Sequence, residues 1–206
     1  MTRPATAAAT LILLALVGDV LITVSDWRNY LVVHDYLTGA STIVDLEAAD
    51  TFSSFVSIPT LVVYIAAGVV FLVWLWRARI NAELLGGPTA QRRSRGWVVG
   101  GWFARVANLR FPYQVVWDIW RASASRRPAR GGLIIAWWAS WVASTIISRA
   151  YLRFYLGEEI TEQGLRSAAN LSTLGMVLEL AAGGLIVLII NRITAWQTQR
   201  PAQDAA

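Results

Sequence analysis

Three acids in this sequence sit where apolar residues are the rule: Asp19, Asp118 and Glu179. A carboxylate at membrane depth is costly and is a functional candidate by default. Glu179 recurs with Gly175 and Gly183 at four-residue intervals, so the three share one helix face. Small residues at that spacing let helices approach closely, and Glu179 is expected to point into protein rather than lipid. There it could bind a cation, relay a proton or act as a general acid or base. An ion pair with Arg105 or Arg149 is the plainer alternative. Asp19, in the outer half of the first apolar run, poses the same choice: chemistry, or a polar pair with Arg149.

Asp118 has company. Asn81, Glu83, Asn108, Tyr113, Gln114 and Arg121 cluster around the apolar stretch 96–120. Asparagine and glutamine can satisfy backbone groups freed where a helix breaks. The functional alternative is a polar pocket open to the cytoplasm, with Asp118 doing the chemistry. Trp102, Arg105 and Trp141 extend the candidate pocket. Trp137, Trp141, Ser144 and Ser148 recur at helical spacing. An aromatic cavity there could hold an isoprenoid and stabilise a carbocation through ring faces, although ordinary packing explains the same pattern.

Other chemistry is excluded by composition. There is no cysteine, so thiolate metal sites and cysteine nucleophiles are ruled out. His34 is the only histidine, which leaves no histidine-based metal site. The run GGPTAQRRS lacks the lysine of a phosphate-binding loop. No cofactor is expected, and a divalent cation stays open.

These residues need a scaffold, and hydropathy supplies it. The chain has 206 residues, 56% of them hydrophobic and only 15% charged, against about 25% charged in soluble domains. A membrane-spanning helix needs about 20 mostly apolar residues. Four stretches qualify, at roughly 5–25, 52–76, 132–152 and 169–191. The expected class is an all-α integral membrane protein with four transmembrane helices in one domain, 1–196, and a disordered polar tail, 197–206.

All 18 basic residues are arginine, a bias that hints at a GC-rich bacterial genome. They concentrate in 77–95 and 121–131, whereas 25–52 and 153–168 are acid-rich. Arginine-rich loops stay in the cytoplasm, so both termini are expected on the cytoplasmic side of a bacterial inner membrane. The two arginine-rich loops then lie on one side, with the apolar stretch 96–120 between them. A single span there would carry Arg105, Arg110 and Pro112 to membrane depth. A helical hairpin over about 96–121 is expected instead, either re-entrant or interfacial. The loop 86–95 is expected to be a flexible linker. Nucleic acid is not expected as a partner, because the basic loops are short and lie close to the membrane. They could contact anionic lipid headgroups instead.

The run from Trp76 to Ser123 resembles the actinobacterial membrane proteins of domain-of-unknown-function family 4328. The resemblance rests on Trp76, Asn81, the GGWF element Gly100 to Phe103, Asn108, Leu109, Pro112 to Gln114, Trp120 and Arg121. Members often have a proline after GGWF and an aromatic after asparagine-leucine. Here Arg105 and Arg110 stand near those places. The resemblance implies membership and brings no activity with it.

Three functions fit the sequence. The first is a lipid- or small-ligand-binding accessory protein with a cytoplasm-facing pocket. The second is a membrane-embedded lyase, cyclase or transferase acting on an isoprenoid or lipid through Asp19, Glu179 or Asp118. The third is a homo-oligomeric channel or transporter.

Overall fold

A computed structural model describes residues 2–104, 107–124, 131–155 and 161–203. The described residues contain six α-helices and no strand: α1 (Thr2–Leu37), α2 (Ile43–Gly86), α3 (Trp97–Phe103), α4 (Phe111–Ser123), α5 (Gly132–Tyr155) and α6 (Glu162–Gln203). Four of them, α1, α2, α5 and α6, are long and apolar enough to cross a membrane. Their outward faces agree with that role. Leu13, Leu14 and Val17 on α1 and Leu61, Val62 and Ile65 on α2 are all exposed. Contiguous exposed apolar surface of this kind is unfavourable in water and ordinary in lipid.

The helices outrun the apolar stretches that mark them. The second apolar stretch covers 52–76, but α2 has 44 residues. Such a helix is about 66 Å long, more than twice the roughly 30 Å hydrocarbon core, so it is longer than one crossing requires. Helix ends are set by local chemistry rather than by hydropathy. Gly39 follows α1 and Gly87 follows α2, each with φ of 79°, the left-handed conformation that glycine adopts without steric cost. The start of α2 is capped by Thr42, whose N–H and Oγ1 both donate to Asp45 Oδ2 at 2.8 Å.

Between α2 and α5 the chain forms two short helices that pack on each other, as the break in 96–121 requires. A 3-10 turn, Ala107–Leu109, joins α3 to α4, and Pro112 sits in the first turn of α4, where a missing N–H costs nothing. Gly101 permits the close approach, because a Cβ there would meet Phe111 Cβ at 3.2 Å.

Two expectations change. Loop 86–95 is ordered, with a 3-10 turn at Pro88–Ala90 and arginines tied to neighbouring helices. Helix α6 continues through Gln203, past the point where a disordered tail was expected. Gln197 is the physical reason: it is buried, and its Nε2 donates to Ala78 O at 3.0 Å and Ser123 Oγ at 2.7 Å.

The chain divides into two compact units. One comprises 1–12, 66–138 and 183–206, the other 13–65 and 139–182. The first is filled by large apolar side chains, among them Trp74, Leu75, Ile119, Ile134, Ile189 and Ile193. The second has a different interior. Its buried apolar residues are alanines and Val56, and beside them lie Asp19, Thr23, Ser25, Asp26, Thr60 and Ser144.

Candidate functional site

The second unit holds the candidate site. On α1, Asp19, Thr23 and Asp26 follow one another at intervals of four and three, which places them on one face. Each meets a polar partner on another helix. Thr23 Oγ1 lies 3.2 Å from Ser172 Oγ on α6. Asp26 accepts from the Tyr151 hydroxyl on α5 at 3.0 and 3.1 Å. The next residue, Trp27, donates through Nε1 to Thr173 Oγ1 at 2.9 Å.

Asp19 makes the contact that matters most. The Tyr64 hydroxyl on α2 bonds Asp19 Oδ1 and is 2.7 Å from Glu179 Oε2 on α6. A single phenol thus reaches two carboxyl groups on different helices. The helix packing explains how. Gly18 sits against Thr60 so tightly that a Cβ there would lie 2.5 Å from Thr60 Cγ2. Asp19 is the next residue on α1, and Tyr64 lies one turn beyond Thr60 on α2. The small residue brings the two helices together where the two polar groups must meet.

The hydrogen count is unbalanced. A phenol carries one proton and an ionised carboxylate only accepts. Tyr64 can therefore satisfy one of the two acids at a time. Two hydrogen-bond lengths put the carboxyl oxygens within roughly 5–6 Å of each other. At about 5 Å and an effective dielectric near 20, two full charges repel by about 3 kcal/mol. Among the described residues no arginine makes an ion pair with either acid. Arg149, the partner considered from sequence, is exposed, and Arg105 lies outside the described residues. Asp19 Oδ2 is buried without a hydrogen-bond partner, on a residue only 7% exposed.

That oxygen belongs to a residue lining a cavity of about 240 Å³. Asp19, Tyr64 and Glu179 contribute to its wall, as do Thr23, Ser148, Tyr151 and Ser172. Ile22, Ile147, Leu171 and Met176 supply its apolar side, and Gly175 also lines it.

The residues grouped around Asp118 are arranged otherwise, in the first unit. Asp118 is buried and fully engaged: Arg92 approaches it through Nη2 at 2.8 Å, Nε at 2.9 Å and its backbone N–H at 2.9 Å. Gln114 accepts from Arg93 Nε at 3.0 Å, and the Arg93 guanidinium lies 3.9 Å from the Phe111 ring centroid. Glu83 accepts from Arg79 at 2.8 Å and from Arg95 at 2.5 Å. Arg95 donates to Glu83, in the last turn of α2 beyond its apolar stretch, and holds that carboxyl below its usual range. These contacts fasten loop 87–96 to α2 and α4.

The remaining candidates scatter. Tyr113 stacks on Trp117, with ring centroids 6.0 Å apart. Trp102 packs edge-on to Phe71 at 5.6 Å. Asn81 is half-buried near the end of α2, Asn108 lies in the α3–α4 turn and Arg121 is exposed. Trp102 and Trp141 fall in different units. Structure thus joins Asp19 to Glu179 and adds Tyr64, which sequence reasoning missed. The available signal was a tyrosine at the middle of an otherwise apolar span.

The all-helical architecture, with four helices long and apolar enough to cross a membrane, defines the class of the chain. Residues 38–195 match the model of a family described as a domain of unknown function (DUF4328). The chain belongs to that family. No curated protein and no solved structure matches it.

Proposed function

We propose that this chain is a small-ligand-binding membrane protein whose site is the Asp19–Tyr64–Glu179 cleft. The observation that carries this reading is that Asp19, whose Oδ2 is buried without a hydrogen-bond partner, is itself a lining residue of a cavity. Buried polar atoms are nearly always satisfied, and an exception calls for water, an ion or a ligand. The size of the cavity favours a compact ligand. Sites for cofactors and drug-sized molecules span about 300–1,000 Å³, and the cleft has about 240 Å³. An isoprenoid substrate fits this volume poorly. The arginine-saturated cluster at Asp118 supports a structural clamp there rather than a second, cytoplasm-facing pocket.

The arrangement of arginines favours a bacterial inner membrane with both termini in the cytoplasm. In that orientation the cleft residues fall in the middle and outer parts of their spans. The α3–α4 hairpin would rest in or on the inner leaflet with its arginines near lipid headgroups, and a homo-oligomer is compatible with this arrangement.

The chain has no cysteine, so Thr23→Cys gives a single thiol on the cavity wall. In folded protein, methyl methanethiosulfonate should add to it, as read by intact mass. Filling the cavity with Ile147→Trp should suppress the addition. Failure of folded Thr23→Cys to react would overturn the cleft as a ligand site.

A further inference from the structure

We infer that the ligand of this cleft is a compact primary ammonium, taken up in exchange for one proton; the inference rests on the cleft being a ligand site, as proposed above. The head of the cleft offers oxygen atoms alone. Asp19 Oδ2 has no partner, and Glu179 and Asp19 compete for the one proton of Tyr64. Among the described residues no arginine or histidine lines the cavity. The charged and titratable groups around it are Asp19 and Asp26 on α1, Tyr64 on α2, Tyr151 and the exposed Arg149 on α5, and Glu179 on α6. Asp26 is already held by Tyr151.

Empty, this arrangement needs a proton on one carboxyl group, so that the acids and the phenol form a continuous hydrogen-bonded chain. A primary ammonium brings a positive charge and three N–H donors. Its donors match Asp19, Glu179 and the phenol oxygen, and the carboxyl proton becomes redundant. The exchange balances: protonated site plus ammonium gives ammonium-bound site plus one proton released to solvent. Only the carboxyl O–H bond breaks.

The rest of the cavity fits an organic cation better than a metal ion. Ile22, Ile147, Leu171 and Met176 give an apolar wall for a short alkyl body, and tyrosine rings attract ammonium groups. Calcium takes six to eight oxygen ligands, yet no group of three or more acid, histidine or cysteine residues that could hold a metal exists among the described residues.

The test uses the whole chain in lipid nanodiscs with ethylammonium chloride as the probe. Calorimetry in buffers of different ionisation enthalpy reads binding and proton release together. Saturable binding is expected, with one proton released and an apparent affinity rising about tenfold per pH unit while the site is protonated. Sodium chloride at equal concentration should not compete. Asp19→Asn and Glu179→Gln, close in shape to the native residues, should each abolish proton release. Absence of ethylammonium binding while Thr23→Cys still reacts would overturn the ammonium and leave the cleft standing. If neither occurs, both proposals fall. Binding without proton release overturns the exchange, and equal competition by sodium overturns the ligand class.

Discussion

The two compact units handle their buried and half-buried acids in opposite ways. In the first, Glu83 and Asp118 each meet arginine, and large apolar side chains fill the interior. In the second, Asp19 and Glu179 meet a shared tyrosine and a cavity, among alanines and hydroxyl groups. Arginine-matched acids hold a fold together. Acids that share one phenol proton and meet no arginine among the described residues are the basis of the proposed ligand site. The contrast shows that acidity alone did not separate Asp118 from Asp19; their partners did.

That contrast can be broken by substitution. The largest effect is expected for Asp118→Ala, which strands Arg92 and removes a buried acceptor. A loss of about 2–4 kcal/mol is expected, less than for a fully buried pair because Arg92 is half-exposed. Unfolding in mixed micelles titrated with SDS would measure it. Gly18→Ala should cost about 1–3 kcal/mol through overpacking against Thr60, and adding Thr60→Ala should recover most of the loss. A double-mutant cycle in the same assay checks this pair.

A smaller, pH-dependent effect is expected at Glu83. Its carboxyl is held below the usual value, so its stabilising contribution is complete above the unfolded value of about 4.5. That contribution should fade as pH falls through the lower folded value. Thermal melts carried from neutral pH down to well below about pH 4.5 should show the trend in wild type and lose part of it in Glu83→Gln. The smallest effect is expected in the cleft. Asp19→Asn or Glu179→Gln replaces one member of a pair that shares a proton in the empty cleft and should change stability by no more than about 1 kcal/mol in either direction. A loss as large as that of Asp118→Ala would erase the distinction between the two regions.

Much of this was legible in the sequence. Four apolar runs located the four long helices, because hydrocarbon demands length and hydropathy together. Arg105, Arg110 and Pro112 marked a break between two short helices, and α3 and α4 flank it. Asp19 and Glu179 stood out because carboxylates are rare in such runs. Other features were hidden for physical reasons. Tyr64 reads as an ordinary amphipathic residue until a helix crossing places its hydroxyl between two acids. Arg92 and Arg93 read as lipid-facing because their partners, Asp118 and Gln114, are more than twenty residues away. The polar ends of α1 and α6 read as loop and tail because helix continuation there depends on contacts such as that of Trp27 with Thr173 and those of Gln197.

One aromatic pair has an optical consequence. Trp120 on α4 and Trp196 on α6 lie with ring centroids 4.6 Å apart, at an interplanar angle of 68°. Indoles held this close and this far from parallel couple their electronic transitions, so the pair should contribute an exciton couplet to the circular dichroism. Replacing either indole with phenylalanine would remove the couplet and identify its source. The chain thus carries an unlabelled reporter of whether the end of its last helix is seated, readable in intact membranes without attaching a dye.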